Sequence, residues 1–147
     1  MTDSYVERSA KAYKRLRRAI AIDKDQITDE LTEHAPLLVE VGEWAARSLS
    51  RRDGLKDSRD QARSRAEERA RTALGEAKTG RVLVAEVESA AKGDEIYAQA
   101  LEDYREATQE AATWENLLSA WRTRGSMIRD LANIYATEIT AGLQNRA

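Results

Sequence analysis

An all-α fold is predicted by three features of the chain. It has one Pro and seven Gly in 147 residues, it is 34% charged, and its last third repeats apolar residues in an unbroken heptad. Long, solvated helices have this composition. Alanine accounts for 25 residues, while Leu, Ile, Val and Phe together number only 26, so the expected core is thin. Disorder usually needs a large net charge as well as low hydrophobicity. Here 24 basic and 26 acidic side chains nearly cancel to −2. The expected architecture is one domain, 1–147, built as an elongated helical hairpin of two long helices plus a shorter N-terminal segment. So thin a protein gains stability by pairing with copies of itself.

The N-terminal segment, 1–27, is basic: residues 1–22 carry six cations and two acids. Lys11 to Ile22 reads equally as a helix or an arm. The first long helix, 36–79, is expected to open at Pro36, a favoured first-turn residue. Leu37, Leu38, Val41, Trp44, Ala45 and Leu49 form its first apolar face. After a wobble at Asp53-Gly54 the stripe resumes as Ala62, Ala66, Ala70, Ala73, Leu74 and Ala77, and Gly80 breaks it. From Arg81 to Val87, the residues Val82, Val84 and Val87 suit a short strand, whereas Ala85-Glu86 suits a helix. Both readings stand.

The second long helix, 94–139, follows Gly93 with Asp94 as N-cap. Tyr97, Leu101, Tyr104, Ala107, Ala111, Trp114, Leu118, Trp121, Gly125, Ile128, Ala132, Tyr135 and Ile139 recur in steps of three and four, a heptad seam. Small residues allow close backbone approach between the large ones. Trp114, Leu118, Trp121 and Ile128 are therefore expected to form an oligomer or packing seam, with the indoles as anchors rather than base-stacking platforms.

Several functions are excluded. The chain has no Cys, hence no thiolate metal site or Cys nucleophile. It has neither a membrane-length apolar run nor the apolar stretch of a signal peptide, so a cytoplasmic location is expected. His34 is the one histidine. A bundle di-metal site needs Glu-x-x-His pairs on facing helices, and Glu30 and His34 are four apart, so His34 reads as a surface residue near a helix N-terminus. Gly75-Glu-Ala-Lys-Thr-Gly80-Arg81-Val82 puts Arg and Val where a phosphate loop needs Lys and Ser/Thr. The carboxylates read as solvated helix faces. No enzyme, cofactor or metal is expected.

Charge is blocked along the chain: +4 over 1–22, −6 over 23–43, +5 over 44–81, −7 over 82–121 and +2 over 122–147. In the central basic block, Arg63, Arg65, Arg69 and Arg71, with Arg59 upstream, flank the Ala stripe. Arginine outnumbers lysine eighteen to six, and its planar fork suits phosphate contact. Glu67 and Glu68 dilute the patch, and the competing reading is a solvated face with i,i+4 ion pairs, or basic helices lying against acidic ones.

Glu86-Val-Glu-Ser-Ala-Ala-Lys-Gly-Asp94, Trp114-Glu-Asn-Leu-Leu-Ser-Ala-Trp121 and Arg124-Gly125-Ser-Met-Ile128 together resemble the C-terminal half of UvsY-type phage recombination mediators. Upstream, Ile22-Asp23, Glu33, Leu38 and Trp44 resemble that family's entry segment, so the likeness runs over residues 22–135. The resemblance implies an all-helical protein forming a ring-like homo-oligomer. It also implies a protein that is not an enzyme, binds single-stranded DNA, interacts with single-strand-binding protein and helps load a RecA-type recombinase. In the host cytoplasm, a phage-encoded chain would meet these partners. The family's basic pair matches Arg69-Ala-Arg71, with Arg65 as an extension, although the aromatic residues and acidic loop that follow it in the family are replaced by Thr72-Ala-Leu-Gly. Arg63, and Lys14, Arg17 and Arg18 from the N-terminal segment, are expected to assist. The alternative is a phage structural, scaffold or assembly protein acting through coiled-coil contacts.

Overall fold

The computed structural model describes residues 4–77 and 81–144. All regular elements among them are helical: α1 (Tyr5–Arg18), a 3₁₀ turn (Lys24–Gln26), α2 (Ile27–Ala77), α3 (Val84–Ala91) and α4 (Glu95–Gln144). The chain forms two compact units. Unit 1 comprises 1–46 and 113–147, unit 2 comprises 47–112, and the two long helices each contribute to both.

In unit 1, α1 starts with a capping box. Ser4 Oγ accepts the Glu7 N–H at 3.3 Å while the Glu7 carboxylate accepts the Ser4 N–H at 3.1 Å, satisfying two of the orphan donors of the first turn. The N-terminal segment is therefore a helix and not an arm. One side of it faces the core, where Leu16 is fully buried beside Val41 and Ala45 of α2 and Trp114, Leu117 and Trp121 of α4. Trp114 is the hub. Trp44 stacks on it with centroids 5.6 Å apart, Tyr13 meets it edge-on at 5.6 Å, and its Nε1 donates to Ser9 Oγ at 3.0 Å.

Unit 2 has a core of small residues. Its buried side chains are Ser48, Ala62, Ala66 and Ala70 from α2, Val87 and Ala91 from α3, and Ala107 and Ala111 from α4. Polar contacts reinforce it: Arg51 donates to Glu110 at 2.7 Å, and the Arg59 guanidinium lies 4.4 Å from the Tyr104 ring centroid. A thin core of this kind leaves much of the unit's cohesion to such edge contacts.

Two expected helix bounds need correction, and the open choice between strand and helix after Arg81 is decided. The first long helix does not open at Pro36. It begins nine residues earlier, at Ile27, with Pro36 inside it. Thr32 and Pro36 both lie on the exposed side, so the hydrogen bond that proline cannot make is lost where the carbonyl remains solvated. Residues 84–91 form helix α3 rather than a strand, because Glu86 folds back to accept the Leu83 N–H at 3.2 Å and closes the first turn. The C-terminal helix runs past Ile139 to Gln144, and Ile139 is exposed. Of the seam residues, Trp114, Trp121 and Ile128 are no more than 1% exposed within the single chain, and Leu118 packs against the same core. The break expected at Gly80 falls outside the described residues.

Candidate nucleic-acid interface

The four candidate arginines all lie on α2 in unit 2, and all are exposed. Regular helical geometry divides them. Residues two apart point about 200° from each other at 3.6 residues per turn, so Arg69 and Arg71 do not form one side-by-side pair. Arg65 and Arg69 run along one border of the Ala stripe, Arg63 and Arg71 along the other.

Their partners differ too. Arg63 donates to Glu67 at 2.8 Å and approaches Glu88 at 3.9 Å, while Arg71 reaches the same Glu67 at 3.6 Å. Arg69 places Nε and Nη2 at 3.0 and 2.6 Å from one oxygen of Asp94. The other Asp94 oxygen accepts the Tyr97 N–H at 3.0 Å, the N-cap bond of α4. The hydrogen bond from Arg69, followed by that from Tyr97, holds the Asp94 carboxyl below its usual range. Arg69 thus ties α2 to the start of α4. Arg65 has no acidic partner among the described residues, and it is the member of the set free to meet an anion. Beside this row, Arg63, Glu67, Glu88, Ala91, Lys92 and Tyr97 line a shallow cleft of about 230 Å³, whose mixed charge does not mark it for any one ligand.

A denser run of exposed cations is on α1. Arg8, Lys11, Lys14, Arg15, Arg17 and Arg18 are all exposed, while Ser9 and Leu16 face inward. The composition of the segment announced the charge. What its helical spacing adds, and what Ser4 and Glu7 at capping distance signal, is that these six cations are fixed on one rigid helix.

The polar cluster with no counterpart in the expected site is in unit 1, around Arg124, which is 4% exposed. Its guanidinium pairs closely with Glu30, donates to the carbonyls of Ile20 (3.2 Å) and Ala21 (3.4 Å), and approaches His34 Nδ1 at 3.2 Å. The other Glu30 oxygen accepts the Asp23 N–H at 2.8 Å. His34 lies against Trp121, centroids 5.6 Å apart, and a Cβ on Gly125 would stand 2.5 Å from His34 Nε2. Any larger residue would displace the His34 ring from its place against Trp121. His34 is therefore half-buried and held in place rather than a free surface residue, and the Glu30 carboxylate is paired rather than solvated.

A guanidinium can only donate, so His34 Nδ1 accepts and the ring is neutral with its proton on Nε2. Burial, then the charges of Arg124 and Arg129, lower the His34 pKa against an opposing pull from Glu30. The folded state thus resists a proton that the unfolded chain accepts. This contribution to stability is complete above the ordinary histidine value of about 6.5 and is lost as the pH falls from there to the folded value. Urea midpoints should therefore drop more between pH 7.5 and 5.5 for the parent than for His34→Gln. Equal drops would show that His34 does not titrate against folding.

The described residues include no cluster of three or more His, Cys, Asp or Glu placed to hold a metal, and none of their helices is long and apolar enough to cross a membrane. Comparisons with protein-family models, curated proteins and solved structures find no match to this chain.

Proposed function

We propose that this protein is a non-enzymatic recombination mediator of the UvsY type. In this reading it binds single-stranded DNA along exposed arginines, assembles as a ring-like homo-oligomer, and helps a RecA-type recombinase onto strands covered by single-strand-binding protein. The observation that carries the reading is the set of exposed arginines on the two borders of the Ala stripe of α2. Arg65 meets no carboxylate among the described residues, and Arg63, Arg69 and Arg71 have half or more of their side chains exposed. Exposed ion pairs are weak, so a phosphodiester chain competes with Glu67 for Arg63 and Arg71. Each subunit binds weakly, and repetition around an assembly raises the affinity.

The residues behind the resemblance have coherent structural roles, which supports it. Glu86 closes α3, Asp94 caps α4, Trp44 stacks in the core, and Arg124-Gly125 accommodates the Glu30–His34 pair. With Trp114 and Trp121 used inside unit 1, contacts between copies fall to apolar residues α4 leaves exposed, such as Ile134 and Ile139 at 54% and 64%. Those same residues favour the second reading, an assembly or scaffold protein working through helix pairing.

Fluorescence anisotropy with a labelled oligothymidylate across salt concentrations tests the proposal. The parent should bind at low salt, and Arg65→Ala/Arg71→Ala should bind with a log–log salt slope shallower by about 1.4, at roughly 0.7 per phosphate contact on single strands. Arg69 is left intact because it supports the α4 cap. Absence of any strand binding by the parent at low salt, with salt-sensitive self-association, would point to the scaffold reading.

A further inference from the structure

We propose that the outward face of α1 is a second, independent contact surface for the phosphodiester backbone of single-stranded nucleic acid. The inference rests on the strand-binding reading above but concerns a different element. Around the helix, Arg8, Lys11, Lys14, Arg15, Arg17 and Arg18 occupy one continuous exposed side. The one acidic side chain of α1, Glu7, is bonded back to the Ser4 N–H. Arg15 pairs with Glu40. Arg8, Lys14, Arg17 and Arg18 have no acidic partner among the described residues, in contrast to Arg63, Arg69 and Arg71 on α2.

The opposite side of α1 is committed to the core. Leu16 is fully buried, and Ala12, Tyr13, Ala19 and Ile20 pack on the same cluster. Two consequences follow. The cations are held on a docked helix, so little ordering is required when a polyanion binds. The helix also has no spare apolar face to bury in a lipid interface, as interfacial amphipathic helices do, which favours a nucleic-acid backbone over a membrane. From Arg8 to Arg18 the row extends about 15 Å at 1.5 Å per residue, long enough for several successive phosphates. Contacts of this kind carry charge and no base reading, so binding here is independent of sequence and steeply dependent on salt.

The test uses the full-length protein, the same labelled oligothymidylate and the triple variant Lys14→Ala/Arg17→Ala/Arg18→Ala. Alanine preserves helix propensity, and circular dichroism checks that the fold is retained. The expected result is weaker binding at every salt concentration, with a slope shallower by about 2 for three lost contacts. Arg17→Lys/Arg18→Lys keeps the charges and should keep the parental slope, which separates lost phosphate contacts from a disturbed helix. If the parent binds and the triple variant matches its affinity and slope, the α1 assignment is wrong and the strand-binding reading survives. If the parent does not bind single strands at all, both fall. If the triple variant loses binding to phosphatidylserine vesicles while its strand binding is unchanged, the face belongs to a lipid surface and the assignment is overturned.

Discussion

Arg124→Ala is expected to lower the unfolding free energy by about 3–5 kcal/mol, the usual cost of removing one partner from a buried ion pair. The substitution leaves the Glu30 carboxylate, 14% exposed, without its cation, and withdraws the donors that serve the carbonyls of Ile20 and Ala21 just beyond the end of α1. Those carbonyls follow the last turn of α1, where a cation is electrostatically favoured. For a domain of this size, a loss of that order lowers the melting temperature by roughly 10 °C. Removing both charges in Glu30→Leu/Arg124→Leu should be clearly less damaging than Arg124→Ala alone, because the penalty lies mainly in the stranded charge. Arg124→Lys should recover little, since an ammonium cannot reproduce a fork that serves a carboxylate, two carbonyls and an imidazole at once. Urea unfolding followed by circular dichroism decides the matter: a loss below 1 kcal/mol for Arg124→Ala would mean that the pair is effectively solvated.

The same cluster explains where sequence reasoning stopped short. The heptad of α4 and the Ala stripe of α2 are legible because alanine and tryptophan at steps of three and four have one physical meaning, burial. From Ile27 to Leu38 the inward positions include Glu30 and His34, which read as solvent-facing polar residues. Their burial depends on Arg124, more than ninety positions away. Without that partner in view, Pro36 was the natural helix start, and His34 a surface residue. The arginines were legible as composition, with i,i+4 ion pairs as the competing reading, but which carboxylate serves which arginine was not. Glu67 serves two arginines one turn to either side, as i,i+4 spacing allows, whereas the tie from Arg69 to Asp94 depends on how α2 and α4 meet within unit 2. On α1 the charge was plain from the start, and only the capping box and the inward Leu16 establish that it sits on a docked helix.

Trp114→Ala should cost a comparable 3–5 kcal/mol, for a different reason. Trp114 is 1% exposed and is the point where all three helices of unit 1 converge: it meets Tyr13 and Ser9 of α1 and Trp44 of α2 from its own place on α4. Truncation removes the stacked and edge-on ring contacts together and leaves a cavity among Leu16, Tyr13 and Trp44, which a packed core refills only in part. Trp114→Phe keeps an aromatic ring for Trp44 and Tyr13 but loses the bond to Ser9, so its cost should be nearer 1–2 kcal/mol. Trp121 provides the contrast. Its Nε1 is buried with no acceptor among the described residues, so Trp121→Phe loses ring area but no hydrogen bond and should be the milder of the two phenylalanine variants. Denaturation midpoints for the three proteins test this order directly. If Trp121→Phe proved the more damaging, stability in unit 1 would rest on the His34–Trp121–Arg124 stack rather than on the Trp114 hub. α1, anchored through Leu16, Tyr13 and Ser9, would then be expected to stay docked in Trp114→Phe.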